Sequence, residues 1–364
     1  MGSAAAYSAA TLGANVTLVD AAHTGRATSA GAGIVSPWGS RVDDPEWYTL
    51  ACSAARAYPA LVEALGEAGE TSLGYRRVGS LTLVESPHEQ QELSRKFRSR
   101  LAEWPEMGEV AELDSDQAQE LFPPLRPGIL AVHVSGGARV DGRLISAALR
   151  RAAGRAGARV VAGQAELKVA GGKVTGVTVG GELIEGDAVI AATGAWTDAF
   201  VEPAGVTLGI TPQRGQITHI SLGLTDTSRW PAVLPGGSGH YLLAFDDSRV
   251  VVGATRENDA GLDYRVTSGG LAEVLDNALA VAPGLSAGTY LETRVGFRPM
   301  GPGFRPVLGK VPGTDGLIAA TGLGASGLTM GPYSGELAAR TALGLDLPLD
   351  LSPFSPAGTD MSSR

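Results

Sequence analysis

The residues with the clearest chemical signature are a glycine and an aspartate near the start of the chain, Gly2 and Asp20. A dinucleotide-binding unit runs from a strand through a G-x-G-x-x-G turn and a helix to a second strand, with an acidic residue about 20 residues after the glycines. Gly2 stands where the third glycine belongs, because it begins a run of small residues typical of a helix. Asp20 ends a β-branched strand at residues 15–20, and we interpret it as the acceptor of a ribose hydroxyl.

If residues 2–20 belong to a dinucleotide-binding unit, the beginning of that unit is missing. The first strand and the first two glycines are absent, and we expect translation to begin upstream of Met1. Two alternatives stay open, namely an ordinary αβ unit at the edge of another fold and a cloning scar at residues 1–3. A signal peptide is disfavoured, because residues 1–14 have neither a basic n-region nor a Leu/Val-rich core.

Composition excludes several classes of protein. The chain has 364 residues, 44% of them hydrophobic, which is typical of a globular protein with a large core. A formal charge of −9 without a basic stripe argues against nucleic acid as a partner. No apolar run approaches the roughly 20 residues of a membrane span. The single cysteine, Cys52, excludes internal disulfides and favours a cytoplasmic location, and the scattered histidines predict no metal site.

Hydrophobic periodicity predicts elements of both kinds. Asp141 is positioned to cap a helix over residues 142–156, where Arg150, Arg151 and Arg155 suit the helix dipole and require no functional role. A small-residue loop at 28–35 would let backbone approach a ligand closely, although such a string in isolation is more commonly a plain turn. The other predicted helices are 45–68, 88–103, 269–280 and 329–343, and the other predicted strands are 78–85, 159–161, 173–179, 187–194, 213–220, 241–245, 249–255 and 317–322.

The order of these elements predicts an α/β fold. Continuous apolar strands that end in glycine, at 187–194 and 317–322, are typical of a parallel sheet, whereas the alternating strands between them indicate an antiparallel one. We therefore predict an interrupted Rossmann-like domain and a second domain with a mainly antiparallel sheet. Residues from 346 onward are rich in Pro, Ser and Asp and predict a tail lying loosely on the surface.

Four separated segments carry motifs that occur together. They are residues 2–20 with the loop 28–35, then AATGAW at 191–196, then YLLAF and VVVGAT between 241 and 255, and finally VGFRPM, PVLG and TGLGASGLTMGP between 295 and 332. In this order they resemble the D-amino-acid oxidase and glycine/sarcosine oxidase family of FAD-dependent oxidoreductases. The resemblance covers nearly the whole chain. It implies an FAD-binding domain of residues 1–42, 139–201 and 293–345, a substrate domain of residues 43–138 and 202–292, and a surface tail at 346–364.

FAD is the cofactor that the resemblance implies. Cys52 lies in the other predicted domain, and no His directly follows Gly2 or lies in 293–330, so we predict that FAD is non-covalent. Free amide groups at helix N-termini would face the pyrophosphate and the flavin carbonyls, and we expect residues 191–196 and 322–328 to border one cleft. Ala165, on the strand after the 142–156 helix, matches the place where family backbone meets adenine. The implied cofactor-binding residues are Gly2, Asp20, Thr28, Ser29, Ala30, Gly33, Ile34, Ala165, Thr193, Gly194, Trp196, Gly322, Gly324, Ala325, Ser326, Gly327, Leu328 and Thr329.

Two residues are implied in substrate binding. Arg298 corresponds to the family arginine that holds the substrate carboxylate, which a planar guanidinium matches in bidentate fashion. Tyr241 matches the family tyrosine whose hydroxyl helps to fix that carboxylate. Alternatives stay open, because an arginine taken alone more commonly forms a surface ion pair and a tyrosine packs in a core. His240 should point to the opposite face of its strand from Tyr241.

The implied reaction is oxidation of the C–N bond of a small amino acid or secondary amine, of the D-amino-acid, glycine or sarcosine type. A hydride passes to flavin N5, the resulting imine is hydrolysed, and oxygen or a quinone takes up the electrons. No side-chain base is required if the amine binds in its neutral form. The alternative function is a non-catalytic, FAD-deficient remnant of the family, since the sheet and the pyrophosphate cradle are both incomplete as written.

Overall fold

The computed structural model describes residues 1–40 and 42–356, so residues 357–364 of the predicted tail lie outside the described residues. Helices and strands alternate at both ends of this part of the chain, and strands dominate its middle. The α-helices in it are α1 (Gly2–Thr11), α2 (Ala27–Ala30), α3 (Pro45–Glu67), α4 (Pro87–Arg100), α5 (Ser115–Leu121), α6 (Gly142–Arg155), α7 (Thr197–Val201), α8 (Ser268–Val281) and α9 (Gly327–Ala342).

The strands fall into five sheets within the described residues. They are β1 (Thr17–Asp20), β2 (Ile34–Val35), β3 (Arg76–Arg77), β4 (Ser80–Val84), β5 (Val110–Leu113), β6 (Leu130–Val134), β7 (Ala138–Arg139), β8 (Arg159–Ala162), β9 (Ala165–Ala170), β10 (Lys173–Val179), β11 (Glu182–Glu185), β12 (Val189–Ala191), β13 (Thr211–Ser221), β14 (Ala232–Pro235), β15 (Tyr241–Ala244), β16 (Arg249–Gly253), β17 (Thr289–Met300), β18 (Val307–Lys310) and β19 (Leu317–Thr321).

The parallel strands form two separate sheets. β1 pairs with β8 in parallel, beginning at Thr17 and Arg159. β12 pairs with β19 in parallel, and the other side of β19 carries β18 antiparallel. In the described chain β1 and β12 each have one edge without a strand partner. The Rossmann-like part of the chain thus contains two short parallel pairs.

The largest sheet has eight strands in the order β17-β13-β16-β15-β14-β4-β6-β5. Every neighbouring pair is antiparallel except β14 and β4, as predicted for the second sheet. β13 and β17 pair along their whole lengths, from Thr211 opposite Met300 to Ser221 opposite Thr289. Two smaller sheets complete the set, β2-β7-β3 and β11-β10-β9.

Local sequence explains where the principal helices begin. Asp141 Oδ1 accepts from the amides of Arg143 at 2.9 Å and Leu144 at 3.2 Å, which caps α6 as predicted. Asp44 accepts from the Trp47 amide at 3.0 Å at the start of α3. Both caps satisfy amide groups that have no partner inside the helix.

Small side chains bring α1 against α9. Ala4 and Ala5 of α1 are buried, and a Cβ at Gly335 of α9 would lie 2.9 Å from the Cβ of Ala4. A larger residue at Gly335 would therefore push the two helices apart. This close packing positions the N-terminus of α1, where Gly2 lies.

The structure corrects two expectations from the sequence. The predicted loose tail is packed over part of its length, since Leu351 and Phe354 are buried in one cluster with Leu308 and Ile318 of the β18–β19 pair. Burial of these two apolar side chains is favourable, and it holds this part of the tail against the protein although the neighbouring residues in sequence are polar. The predicted domain boundaries stay a prediction, and the boundary at residue 293 falls within β17.

The arginines of α6 also differ from expectation. Arg150 pairs with Asp20, and Arg151 and Arg155 both pair with Glu70, so these side chains form specific ion pairs rather than merely suiting the helix dipole. The partners lie far away in sequence, which is why helix position alone could not indicate them. Among the described residues, no helix is long and apolar enough to cross a membrane.

Candidate active site

Strand β17 connects the eight-stranded sheet to the segments predicted to contact FAD. The amide of Phe297 donates to the carbonyl of Gly25 at 2.8 Å, just before α2. Met300, at the end of the strand, forms a β-bridge with Leu323 in the turn before α9. Residues 296–300 therefore run between the loop at α2 and the turn before α9.

One face of β17 includes Gly296, Arg298 and Met300, because side chains alternate along a strand. A Cβ at Gly296 would lie 2.8 Å from the Cβ of Ala30, so α2 covers this face. Further along, a Cβ at Gly324 would meet Sδ and Cε of Met300 at 3.2 Å. Arg298 lies between these two contacts, on the face directed at both predicted cofactor segments.

The guanidinium of Arg298 is anchored through one nitrogen. Its Nη1 donates to Gln213 Oε1 at 3.0 Å and to the Thr255 carbonyl at 2.9 Å. The group lies over Gly215, where a Cβ would be 2.7 Å from Nη2. Within the described residues, neither Nη2 nor Nε has an acceptor and no carboxylate pairs with Arg298. Burial lowers the pKa of this guanidinium below its ordinary value, and an anionic ligand would stabilise its charge.

Tyr241 begins β15 on the same face of the sheet. A Cβ at Gly253, its partner on β16, would lie 2.9 Å from the Tyr241 hydroxyl. The ring packs in a cluster with Ala32 and Ile34 from the loop after α2. Burial raises the pKa of Tyr241, so its hydroxyl keeps its proton and can donate a hydrogen bond.

The segment at 28–35 is a short helix followed by a strand rather than the predicted plain loop. The Ser29 carbonyl accepts from Arg143 Nε at 2.8 Å. Gly33 has a φ of +100°, and a Cβ there would lie 1.8 Å from the Val140 carbonyl oxygen. Only glycine fits at this position, because both its conformation and its surroundings exclude a side chain.

Leu328 locks this segment to the start of α9. Its side chain lies 3.0 Å from where a Cβ at Gly31 or at Gly142 would be. The same Gly142 packs against the Thr28 carbonyl, and the Tyr58 hydroxyl donates to the Leu328 carbonyl. Leu328 is therefore held by packing and by its backbone, which places its neighbours in the first turn of α9.

The first turn of α9 is open to a ligand. Thr329 Oγ1 donates to the Ile34 carbonyl at 2.8 Å and so ties the helix to β2. No side chain caps the helix, whose N-cap residue is Ser326, and a Cβ at Gly327 would meet nothing within 4 Å. Uncapped amide groups at a helix start favour acceptor atoms and negative charge.

Threonine hydroxyls join the ends of β12 and β19. The Gly194 carbonyl accepts from Thr197 Oγ1 at 2.7 Å and from Thr321 Oγ1 at 3.3 Å. Thr193 Oγ1 donates to Thr197 Oγ1 at 3.2 Å. These bonds bring residues 191–196 next to the turn that starts at Gly322, as expected from the sequence.

Asp20 is already engaged by protein groups. Its Oδ1 accepts from the Ala22 amide at 2.8 Å, and its Oδ2 accepts from Arg26 at 2.8 Å and from Arg150. Burial alone would raise the pKa of Asp20, but the amide and the two arginines lower it below its ordinary value. The carboxylate is therefore ionised, and Oδ1, which accepts one hydrogen bond, has a further lone pair for a donor such as a hydroxyl.

The remaining predicted cofactor residues lie around β1 and β12. The Gly163 amide donates to the Asp20 carbonyl at 3.1 Å, which places the end of β8 beside Asp20. Ala165 begins β9, one strand later than predicted, because β8 already ends at Ala162. A Cβ at Gly2 would lie 3.4 Å from the Cβ of Ala192, just after β12.

Trp196 connects the two groups of predicted residues. Its ring stacks on His23, close to Asp20 in the chain, with ring centroids 4.6 Å apart. It also meets Phe297, next to Arg298, edge to face at 6.1 Å. The structure thus brings the predicted residues into one continuous region.

A cavity of about 260 Å³ lies between the eight-stranded sheet and the first turn of α9. Its lining includes Ile34, Tyr241, Arg256, Ser326 and Thr329. This volume is at the small end of ligand sites and suits a small substrate. Sequence analysis did not single out Arg256, which lines the cavity, or Gly215, which lies beneath Arg298. A glycine within the predicted strand 213–220 was a signal that could have indicated Gly215.

A second cavity, of about 690 Å³, lies at the opposite ends of β12 and β19, beside Asp187 and Leu317. None of the predicted site residues lines it. Within the described residues, no group of three or more His, Cys, Asp or Glu side chains is placed to hold a metal ion. The smaller cavity is therefore the candidate substrate site.

Known proteins with this arrangement identify the family. The family described as DAO, FAD dependent oxidoreductase, matches residues 1–341. The chain belongs to the DAO family of FAD-dependent oxidoreductases. Like the other members, it is an enzyme whose cofactor is FAD.

Individual DAO-family proteins resemble the chain over almost its full length. It is 46% identical to the uncharacterized oxidoreductase YurR of Bacillus subtilis, over 98% of this chain and 96% of YurR. The crystal structure of iminodiacetate oxidase from Chelativorans sp. BNC1 superposes with a TM-score of 0.94 at 46% identity, covering 97% and 96% of the two chains. Glycine oxidase from Geobacillus kaustophilus superposes with a TM-score of 0.85 at 25% identity, covering 97% and 94%.

The residues of this chain fit an FAD of the DAO family. The uncapped start of α9 suits the acceptor edge of a flavin. Gly33, where a Cβ would collide with Val140, keeps the segment 28–35 packed against that residue, just before α6, and so holds the backbone that we expect to face the flavin. Asp20 remains ionised beside the strand end where a ribose diol would bind.

Proposed function

We propose that the chain oxidises the C–N bond of a small amino acid or secondary amine, of the D-amino-acid, glycine or sarcosine type. The observation that carries this proposal is the guanidinium of Arg298, anchored through Nη1 by Gln213 and Thr255. With Nη2 and Nε free of acceptors among the described residues, Arg298 can bind a carboxylate in bidentate fashion. Its position between the contacts of β17 with α2 and with the turn before α9 supports this role.

Tyr241 supplies a second donor to the same carboxylate. Its protonated hydroxyl lies on the same face of the sheet as Arg298 and lines the cavity. Holding the carboxylate from two side chains fixes the adjacent carbon, whose C–H bond is the one that breaks. Such positioning can lower a reaction barrier by about 7–11 kcal/mol when the geometry is well matched.

The cavity offers no carboxylate base, since none of its described lining residues is Asp or Glu. His240 lines the same cavity as Tyr241, contrary to expectation, because it precedes β15 and strand alternation does not constrain it. Its Nε2 lies 3.4 Å from Oε1 of Glu273 on α8. We therefore propose that the amine binds in its neutral form. Loss of hydride then leaves an iminium, and addition of water breaks the C–N bond to give an oxo acid and an ammonium or smaller amine.

FAD, when bound, supplies the hydride acceptor at N5 and passes the electrons to oxygen or a quinone. We propose that the cradle for it consists of Asp20, the segment 28–35, the motif 191–196 and the turn 322–329. Non-covalent binding is supported by Cys52, which is fully buried and whose pKa burial raises to about 12. A thiol of that kind is a poor nucleophile towards a flavin.

Relatives narrow the substrate class. The two structural neighbours are an iminodiacetate oxidase and a glycine oxidase. Glycine and iminodiacetate share a CH₂ group between a nitrogen and a carboxylate. This shared unit is what Arg298, Tyr241 and a nearby hydride acceptor would recognise.

The experiment is anaerobic mixing of the FAD-loaded protein with glycine, sarcosine, iminodiacetate and D-alanine. We expect at least one compound to bleach the visible flavin band and to release equal amounts of oxo acid and amine. Repeating the reaction with oxygen or a quinone identifies the electron acceptor. A flavin band that none of these compounds bleaches would contradict the proposal.

A further inference from the structure

A second arginine, Arg256, lies at the same cavity as Tyr241. It follows Thr255, whose carbonyl accepts from Arg298 Nη1 at 2.9 Å. Thr255 therefore connects the two arginines, because its carbonyl binds Arg298 and Arg256 follows it in the chain. Arg256 itself is exposed, and its Nη1 donates a long hydrogen bond to the Gly239 carbonyl at 3.3 Å.

Both guanidinium groups lie over a glycine. A Cβ at Gly215 would be 2.7 Å from Arg298 Nη2, and a Cβ at Gly239 would be 2.0 Å from Arg256 Nη1. Neither glycine has a positive φ, so its lack of a side chain matters for the space it leaves and not for the backbone conformation. The surroundings of Arg256 therefore make room for its guanidinium at the cavity, just as they do for Arg298.

The two positive charges have no carboxylate of their own. In the described chain neither Arg256 nor Arg298 belongs to an ion pair, and the acidic residues Glu257 and Glu273 have other partners. Glu257 accepts from Arg214 Nε at 3.1 Å, and Glu273 lies 3.4 Å from His240. After burial, the charge of Arg256 is a further factor that lowers the pKa of Arg298. Arg256 lines the cavity, and Arg298 is bonded to the carbonyl of the residue before it. Two like charges this close to each other favour a ligand with two negative groups.

We infer that Arg256 binds a second carboxylate, so that the substrate is a secondary amine with a carboxylate on either side of the nitrogen. This inference rests on the proposed function and adds the specificity-determining residue to it. Arg298 and Tyr241 hold the carboxylate next to the carbon that is oxidised, and Arg256 holds the distal one. Oxidation of such an imino diacid followed by hydrolysis yields one oxo acid and one amino acid.

The test compares iminodiacetate with sarcosine, because the two secondary amines differ only in the distal carboxylate. We expect Arg256→Gln to lower the ratio of kcat/KM for iminodiacetate to kcat/KM for sarcosine at least tenfold, mainly through KM. Arg256→Lys should recover part of that ratio, because it restores the charge. Arg265→Gln is the matched control, since Arg265 is 83% exposed and pairs with Asp263. It should leave the ratio unchanged.

A binding measurement tests the role of Arg256 without requiring the reaction to occur. Thiodiacetate and methylthioacetate carry sulfur in place of the nitrogen, and calorimetry gives their Kd values for the wild-type protein and for Arg256→Gln. We expect the variant to lose at least tenfold in affinity for thiodiacetate and far less for methylthioacetate. Equal losses for both ligands would overturn the inference, because Arg256 would then support the site as a whole.

The remaining outcomes distinguish the inference from the proposed function. A wild-type enzyme that oxidises sarcosine more efficiently than iminodiacetate overturns the diacid site and leaves the proposed function standing. A wild-type protein that binds thiodiacetate through Arg256 but oxidises none of the amines overturns the proposed function and supports the diacid site.

Discussion

Arg298 is the residue on which the proposed chemistry depends most. Its Nη1 is anchored by two acceptors, whereas its Nη2 and Nε have no acceptor among the described residues. Most other arginines near the site are neutralised, such as Arg26 and Arg150 on Asp20 or Arg214 on Glu257. An arginine left without a counter-ion beside a cavity indicates that its partner is a ligand.

Replacing Arg298 by Leu should lower kcat/KM for a carboxylate substrate at least tenfold. A hydrogen bond to a charged group contributes about 1.5–3 kcal/mol, and the loss should appear mainly in KM. The same change should have a small effect on the amide of that substrate, which lacks the carboxylate. Steady-state kinetics with sarcosine and sarcosinamide measure both. Arg265→Leu serves as the exposed control, and equal losses on both compounds would mean that Arg298 supports the fold instead.

We expect Gly215 to affect kcat/KM through the position of the Arg298 guanidinium. In Gly215→Ala the new Cβ would lie 2.7 Å from Arg298 Nη2, so the flexible guanidinium must move while the strand stays paired. Because small displacements of a positioning group are costly, we expect kcat/KM to fall about tenfold with little change in thermal stability. Gly269→Ala is the control, since a Cβ there meets nothing within 4 Å. Unchanged kinetics in Gly215→Ala would show that the guanidinium position is not critical.

At the scale of elements, β17 and α9 assemble the site. β17 carries Arg298 from the large sheet to the turn before α9, and Leu328 and Thr329 tie α9 back to the segment at 28–35. No single sheet contains the whole site. Its geometry therefore depends on contacts that join one element to another.

The bond from Thr329 to Ile34 is one such contact. Thr329→Val keeps the shape of the side chain but leaves the Ile34 carbonyl without its 2.8 Å donor. We expect the free energy of unfolding to fall by about 1 kcal/mol and FAD to dissociate more readily. Thr329→Ser keeps the hydroxyl and should recover most of the stability. Urea unfolding of the three proteins measures this, and equal stability of the Val and Ser variants would contradict the role of the bond.

At the scale of the whole molecule, ion pairs join segments distant in sequence. Glu70, after α3, is only 6% exposed and accepts from Arg151 Nε of α6 at 3.0 Å, and Arg155 completes the cluster. Hydrogen bonds from Arg151 and then Arg155 lower the pKa of Glu70 to about 2. These contacts link the predicted substrate-domain segment 43–138 to the predicted FAD-domain segment 139–201.

This pairing predicts a pH dependence of stability. A carboxyl whose pKa is lower in the folded protein stabilises it above the unfolded pKa, ordinarily 4.5 for glutamate, and loses this effect as the pH falls towards about 2. Glu70→Gln should therefore melt at a lower temperature than the wild type at neutral pH. The difference in Tm should stay constant down to about pH 5 and shrink below it. Glu67→Gln is the exposed control on α3, and a difference that persists undiminished in acid would contradict the ion-pair explanation.

The sequence by itself determined much of the architecture. Local periodicity predicted α3, α4, α6, α8 and α9 to within two residues or so at most ends, and the cap at Asp141 is confirmed. Glycine-ended apolar strands correctly indicated the parallel pair β12–β19, and the motifs indicated the family. These features are encoded within a few turns of chain, where spacing alone carries the physical signal.

Tertiary structure decided what depends on distant partners. β17 was not predicted, because it contains Gly296 and Pro299, residue types that are depleted in strands, and it is stabilised by pairing with β13. The partner of Arg150 and the burial of Phe354 also follow from contacts far apart in sequence. The same holds for the two guanidinium groups near Tyr241, since the space above Gly215 and Gly239 exists only once the strands and loops around them have come together. Residue types could be recognised from the chain, but which charges remain unpaired is a property of the folded molecule.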